Sequence, residues 1–106
     1  MYTADGKTNG PAFSWPDGKR IAVMVTFDYD AEFLRMSRAK SKGTSIGFTD
    51  FSRGQYGPHE GLARCLDMLD TMNIKSTFFV PGAVIETYRD TVEEIHRRGH
   101  ELACHG

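Results

Sequence analysis

RIAVMVTFDYDAE, residues 20–32, begins as a nearly continuous apolar and β-branched run and ends in two aspartates with one tyrosine between them. Strands buried on both faces have this composition, and such strands are the habit of parallel sheets flanked by helices. Side chains alternate along an extended chain, so Asp28 and Asp30 share one side and can face one space. Two roles are open to them. Aspartates after a strand are common turn formers and helix caps, or here they project together into a pocket.

Working outward from this run, the chain alternates between strand and helix signals. Gly57 and Pro58 look like a cap and a first-turn proline, and Glu60 follows where an acid suits the macrodipole. Leu62, Cys65, Leu66, Leu69 and Met72 then recur at helical spacing as core-facing residues, predicting a helix that stops near Asn73. IKSTFFV, residues 74–80, reads as a second buried strand ended by Pro81 and Gly82. Asp90 with Glu93 three residues on has the form of a capping box. Val92 and Ile95 then face inward, Arg97 and Arg98 complement the C-terminal dipole, and Gly99 ends the helix. HELACHG, residues 100–106, begins a third strand. Strand, helix, strand, helix, strand predicts a parallel α/β arrangement.

Two stretches lack such signals. Residues 1–19 are rich in glycine, proline and polar residues and read as an irregular lead-in, with WPDG (residues 15–18) suited to a type I turn. Residues 33–57 show no sustained period and predict a long loop that shapes a pocket. Its Arg35, Arg38, Lys40, Lys42 and Arg53 face the single acid Asp50, the pattern of a solvated basic loop or of a clamp on a polar substrate. No repeat or low-complexity segment breaks the 106 residues, so residues 20–106 form one unit with one modest core.

With 25% charged residues and a formal net charge of -1, the composition is that of a globular domain. It gives no electrostatic reason to expect nucleic acid or an anionic membrane as partner. No run reaches the roughly 18 apolar residues of a membrane span. The N-terminus lacks the basic and apolar regions of a secretory signal, and Cys65 and Cys104 have no CxxC spacing. Two buried free thiols in a reducing compartment is the simplest reading, and it makes the cytoplasm the expected location.

Binding sites of parallel α/β folds collect at the C-terminal ends of strands. Asp28 and Asp30 follow the first strand, and His105 lies at the end of the third. Parallel strands would bring both clusters to one rim. A carboxylate and an imidazole together make the core of a hydrolytic divalent-metal site, and a second carboxylate can accept a proton from water. His59, His96 and His100 are read as structural.

TFDYDAE (26–32), TFFVPG (77–82) and GHELACHG (99–106), in that order, resemble the polysaccharide deacetylase (NodB-homology, carbohydrate esterase) superfamily. WPDGKRIAV (15–23) and RGQYGPHEGLARCLDMLD (53–70) resemble its branch of peptidoglycan deacetylase-like, allantoinase-like and cyclic imide hydrolase proteins. The resemblance implies that Asp28 is the catalytic base, and Asp30 and His105 ligands of a divalent metal, zinc by default. The implied reaction is hydrolysis of a C–N amide bond by metal-activated water. The implied fold is the first three βα units of a distorted (β/α) barrel.

The sequence departs from the pattern after His105. The family's motif continues to a second histidine four residues on, whereas this sequence ends at Gly106, and the later motifs are absent. The expectation is therefore the N-terminal part of a longer enzyme, with little activity in these residues alone and open sheet edges that a second copy of the chain could cover. The expected partner is a small-molecule or carbohydrate amide, with a tilt towards a small amide, ureide or cyclic imide.

Two alternatives remain at this point. A non-catalytic binding or assembly module could descend from such an enzyme. A phosphatase of the haloacid dehalogenase type also places DxD after a buried strand, but Ala31 and Glu32 do not suit that motif and His105 has no role in it.

Overall fold

The computed structural model describes residues 14–106. The predicted lead-in therefore lies outside the described residues except for 14–19. Three strands, β1 (Thr26–Asp28), β2 (Thr77–Val80) and β3 (Glu101–Cys104), form one sheet in the order β1-β2-β3 with both pairs parallel. The α/β class and parallel strands are as the sequence predicts.

The helices are α1 (Phe33–Ser41), α2 (Phe48–Tyr56), α3 (Leu62–Thr71), α4 (Gly82–Thr87) and α5 (Arg89–Arg97). Leu62, Leu66 and Leu69 of α3, with Val92 and Ile95 of α5, pack on Phe78 and Val80 of β2 to make the core, which Tyr29 and Val84 complete. Phe78, 1% exposed, stacks on Phe27 with ring centroids 5.0 Å apart. Arg98, just past α5, donates to Asp67 and Asp70 of α3 and to Glu94, fastening the two helices outside the core.

Both core helices end alike. Asn73, with φ 53, lets Ile74 N–H donate to Leu69 O and its own N–H to Asp70 O. Gly99, with φ 78, does the same through His100 to Ile95 O and Gly99 to His96 O. These paired closures turn each chain exit back towards the sheet, so each helix delivers the next strand.

Several expectations need correction. The predicted loop at 33–57 is two helices, α1 and α2. Gly57 and Pro58 do not start a helix: α2 continues into α3 through a π-helical turn, Gly57–Gly61. A wider turn accommodates a proline that has no N–H to give and whose ring crowds the preceding turn. The capping box does not form, because Tyr88 occupies the cap position of α5 and Asp90 lies inside the first turn. Gly82 opens α4 instead of only ending a strand.

The first strand is also shorter than predicted, and Ile21, Val23 and Met24 are exposed. β1 has β2 on one side and no strand on the other among the described residues, so ahead of β1 only Val25 of the apolar run packs against the core. For the same reason Cys104, on the outer strand β3, is exposed, while Cys65 is half-buried; both are free. Met72, predicted to be in the core, is exposed. WPDG makes a turn one residue later than predicted. Lys19 N–H donates to Pro16 O around Asp17 and Gly18, both with positive φ, which is a type I′ geometry.

Candidate active site

Two backbone hydrogen bonds extend the parallel ladder past the strand ends. Tyr29 N–H donates to Phe79 O at 2.9 Å, and His105 N–H donates to Val80 O at 3.2 Å. They hold the residues after β1 and β3 on either side of β2, at the same rim. There His105 Nε2 lies 3.6 Å from Asp30 Oδ1 and 3.7 Å from Asp28 Oδ1. The structure thus brings together all three residues singled out from the sequence.

Their surroundings differ. The Asp30 side chain is 17% exposed, His105 36% and Asp28 65%. Asp30 is followed by a tight turn in which Phe33 N–H donates to Asp30 O, with Ala31 in the left-handed region at φ 50. That turn draws Asp30 inward while Asp28, on the strand itself, stays in water.

The gaps to His105 are too long for direct hydrogen bonds. The 3.6 Å between Asp30 and His105 suits a shared ion better: tetrahedral donors at about 2.0–2.2 Å from zinc would sit about 3.3–3.6 Å from each other. The donor chemistry, one carboxylate and one imidazole, also fits a hydrolytic divalent metal. Among the described residues no group of three or more His, Cys, Asp or Glu is placed to hold a metal ion, so the fit is that of a two-residue partial set.

The other histidines have different settings. His59 meets the Tyr88 ring edge-on at 6.0 Å, and His96 is exposed. His100 is 3% exposed and packs against Phe78, with its Nδ1 accepting from Ser76 N–H at 3.1 Å. Its proton therefore sits on Nε2, a buried atom without a partner among the described residues. Burial, then the charge of Lys75, holds this imidazole below its ordinary value; Asp70 opposes this and Arg98 adds to it.

A depressed histidine keeps its full contribution above the unfolded value near 6.5, and stability falls as pH drops from there towards the folded value. Urea midpoints should therefore decline between pH 7.5 and pH 5, and His100→Asn should flatten that decline. An unchanged slope in the variant would assign the pH dependence elsewhere.

Glu32 and Tyr88 carry no sequence signal for the site, because Tyr88 lies between α4 and α5 and not at a strand end. Glu32 is buried, and the Tyr88 hydroxyl donates to its two carboxylate oxygens at 2.8 and 3.0 Å. Burial, and then this bond to Glu32, raises the Tyr88 phenol above its ordinary value.

Among the described residues no helix is long and apolar enough to cross a membrane.

Comparison with known proteins shows the family of the chain. The sequence profile of the family described as polysaccharide deacetylase matches residues 15–106. The peptidoglycan deacetylase-like protein FGM2 of Gibberella zeae is 31% identical over 90 residues, covering 83% of this chain and 26% of that protein. The peptidoglycan deacetylase of Helicobacter pylori is 35% identical over 88 residues, covering 83% of this chain and 29% of that one. A crystal structure from Mycobacterium smegmatis assigned to the polysaccharide deacetylases superposes with a TM-score of 0.75 at 40% identity, over 93% of this chain and 34% of that one. The chain thus spans between a quarter and about a third of the length of these relatives. With a profile match across nearly the whole sequence and a solved relative that superposes over 93% of it, the chain belongs to the polysaccharide deacetylase family.

Proposed function

We propose that this chain supplies the base and two metal ligands of a metal-dependent hydrolase that cleaves C–N amide bonds. One observation carries the reading: Asp28 and Asp30 meet His105 across β2, with carboxylate oxygens 3.7 and 3.6 Å from Nε2. Family membership supports the hydrolase class and leaves the haloacid dehalogenase-type alternative without a basis.

Asp30 and His105 are the residues that would hold the ion, zinc by default. When bound, a divalent ion supplies Lewis acidity that favours attack of water on an amide carbonyl. Asp28 takes the proton of the attacking water. Its exposure suits that role, since a solvated carboxylate can pass the proton on to bulk solvent. Asp30, held inward by its turn, stays fixed as a ligand.

The sequence tilts towards a small amide, ureide or cyclic imide in the cytoplasm. The names of two relatives, both peptidoglycan deacetylases or alike, favour an N-acetylated sugar instead. A two-ligand site holds metal weakly, so turnover by these residues alone is low. A second reading, a non-catalytic assembly module, is favoured by the edges of β1 and β3 that no strand covers among the described residues; a second copy of the chain would pair there.

The test is acetate release from N-acetylglucosamine oligomers, and ring opening of a cyclic imide, by the zinc-supplemented chain. Slow turnover is expected on one of them, and Asp28→Asn should cut it by roughly 100-fold or more. Turnover that persists undiminished in Asp28→Asn would remove the base assignment.

A further inference from the structure

We infer that Tyr88, together with Glu32 and Gly54, forms a clamp that positions Asp30 towards His105; the inference rests on the metal-binding role proposed for those two residues. Ala31, immediately after Asp30, sits at φ 50. A left-handed residue with a side chain is strained and persists only where its surroundings hold it. Those surroundings are present on both sides of the Asp30–Ala31 pair.

On the C-terminal side, the buried Glu32 carboxylate takes both of its short bonds from the Tyr88 hydroxyl. Helix α2 also feeds the clamp: Gly54 lets its backbone lie against Glu32, and a Cβ there would collide with Glu32 Cα. On the N-terminal side, the buried Tyr29 is tied to Thr91 Oγ1 at 2.8 Å. Thr91 gives its own hydrogen to Tyr88 O at 2.7 Å, so it accepts from the Tyr29 hydroxyl.

Residues 29 and 32 are thus anchored on one elbow, Tyr88, where α4 meets α5 at φ -122 and ψ 44. Asp30 and Ala31 span the gap between the anchors. Their conformation is set by the clamp, and with it the direction of the Asp30 carboxylate. A hydroxyl-to-carboxylate pair away from the ligands in this way controls ligand aim without touching the ion.

The test uses the 106-residue chain with two variants, Tyr88→Phe and Glu32→Met. Leu69→Val is the control, a core change in α3 that lowers stability without touching the clamp. Two readouts are taken: the cobalt(II) dissociation constant from visible absorption, and the backbone of Ala31 by NMR, with exchange of the Phe33 amide. Tyr88→Phe is expected to weaken cobalt binding roughly tenfold or more, to move Ala31 out of positive φ and to speed Phe33 exchange. Leu69→Val should change neither. Glu32→Met keeps the length of the side chain, removes both acceptor oxygens and gives the same readouts where Tyr88→Phe fails to fold.

Asp30→Ala separates this inference from the reading beneath it. Cobalt binding that depends on Asp30 but is unchanged in Tyr88→Phe and Glu32→Met overturns the clamp alone. Cobalt binding that is absent, or indifferent to Asp30→Ala, overturns the metal reading. In that case Ala31 decides the clamp: positive φ kept in both variants overturns it, and positive φ lost supports it.

Discussion

Phe78→Ala is expected to cost about 3–5 kcal/mol, the range for removing a buried aromatic ring. Phe78 is the centre of β2 and the residue on which the layers meet. It is 1% exposed, stacks on Phe27 of β1, meets the His100 ring at 5.4 Å and belongs to the core with Leu66, Leu69 and Ile95. Its loss opens a cavity that neighbours on two strands and two helices would have to fill together. A domain of this size has roughly 5–15 kcal/mol in all, and here the sheet has two open edges among the described residues, which puts the chain at the low end. The expected result is a fall of the urea midpoint by roughly 1–3 M or loss of the cooperative transition. Val23→Ala, at an exposed apolar position, should stay within about 0.5 kcal/mol. A Phe78→Ala chain as stable as Val23→Ala would mean that the core lies elsewhere.

How far the sequence reveals this fold depends on what each element packs against. β2, β3, α3 and α5 are legible because Leu62, Leu66, Leu69, Val92 and Ile95 repeat on one helical face and TFFV reads as strand. α1 and α2 are not. α1 buries no residue, and the single buried residue of α2 is Gly54, so neither shows an apolar stripe. Backbone hydrogen bonds and the Arg35–Asp50 pair, which links the two helices, leave no periodic trace. Residues 20–25 mislead in the opposite direction. Their apolar character is plain, but burial is a property of neighbours, and Ile21, Val23 and Met24 have none to cover them.

The site divides in the same way. Asp28, Asp30 and His105 are legible because strand ends in a parallel sheet share a rim, and the ladder bonds of Tyr29 and His105 realise that rule. The Glu32–Tyr88 pair is invisible beforehand, since it depends on how the α4–α5 elbow packs on the turn after β1. The left-handed Ala31 has no signal either, because alanine is not a residue that marks such turns.

The larger expected effect on function is loss of zinc from Asp30→Ala and from His105→Ala. Apparent binding energies of structural zinc sites are about 10–16 kcal/mol for four ligands, or roughly 2.5–4 kcal/mol each if shared evenly. Two ligands then give a dissociation constant in about the micromolar to sub-millimolar range, and removing either weakens it by roughly 100-fold. Asp28, assigned as base, is outside that count, so Asp28→Asn should bind zinc as the unmodified chain does. His96→Ala, which removes an exposed imidazole in the last turn of α5, ahead of the start of β3 and not past its end, is the control for adventitious binding.

Equilibrium dialysis of zinc against these five proteins is the most direct measurement. The account predicts near one equivalent bound by the unmodified chain, Asp28→Asn and His96→Ala, with binding lost in Asp30→Ala and His105→Ala. Zinc bound equally well by all five would contradict it.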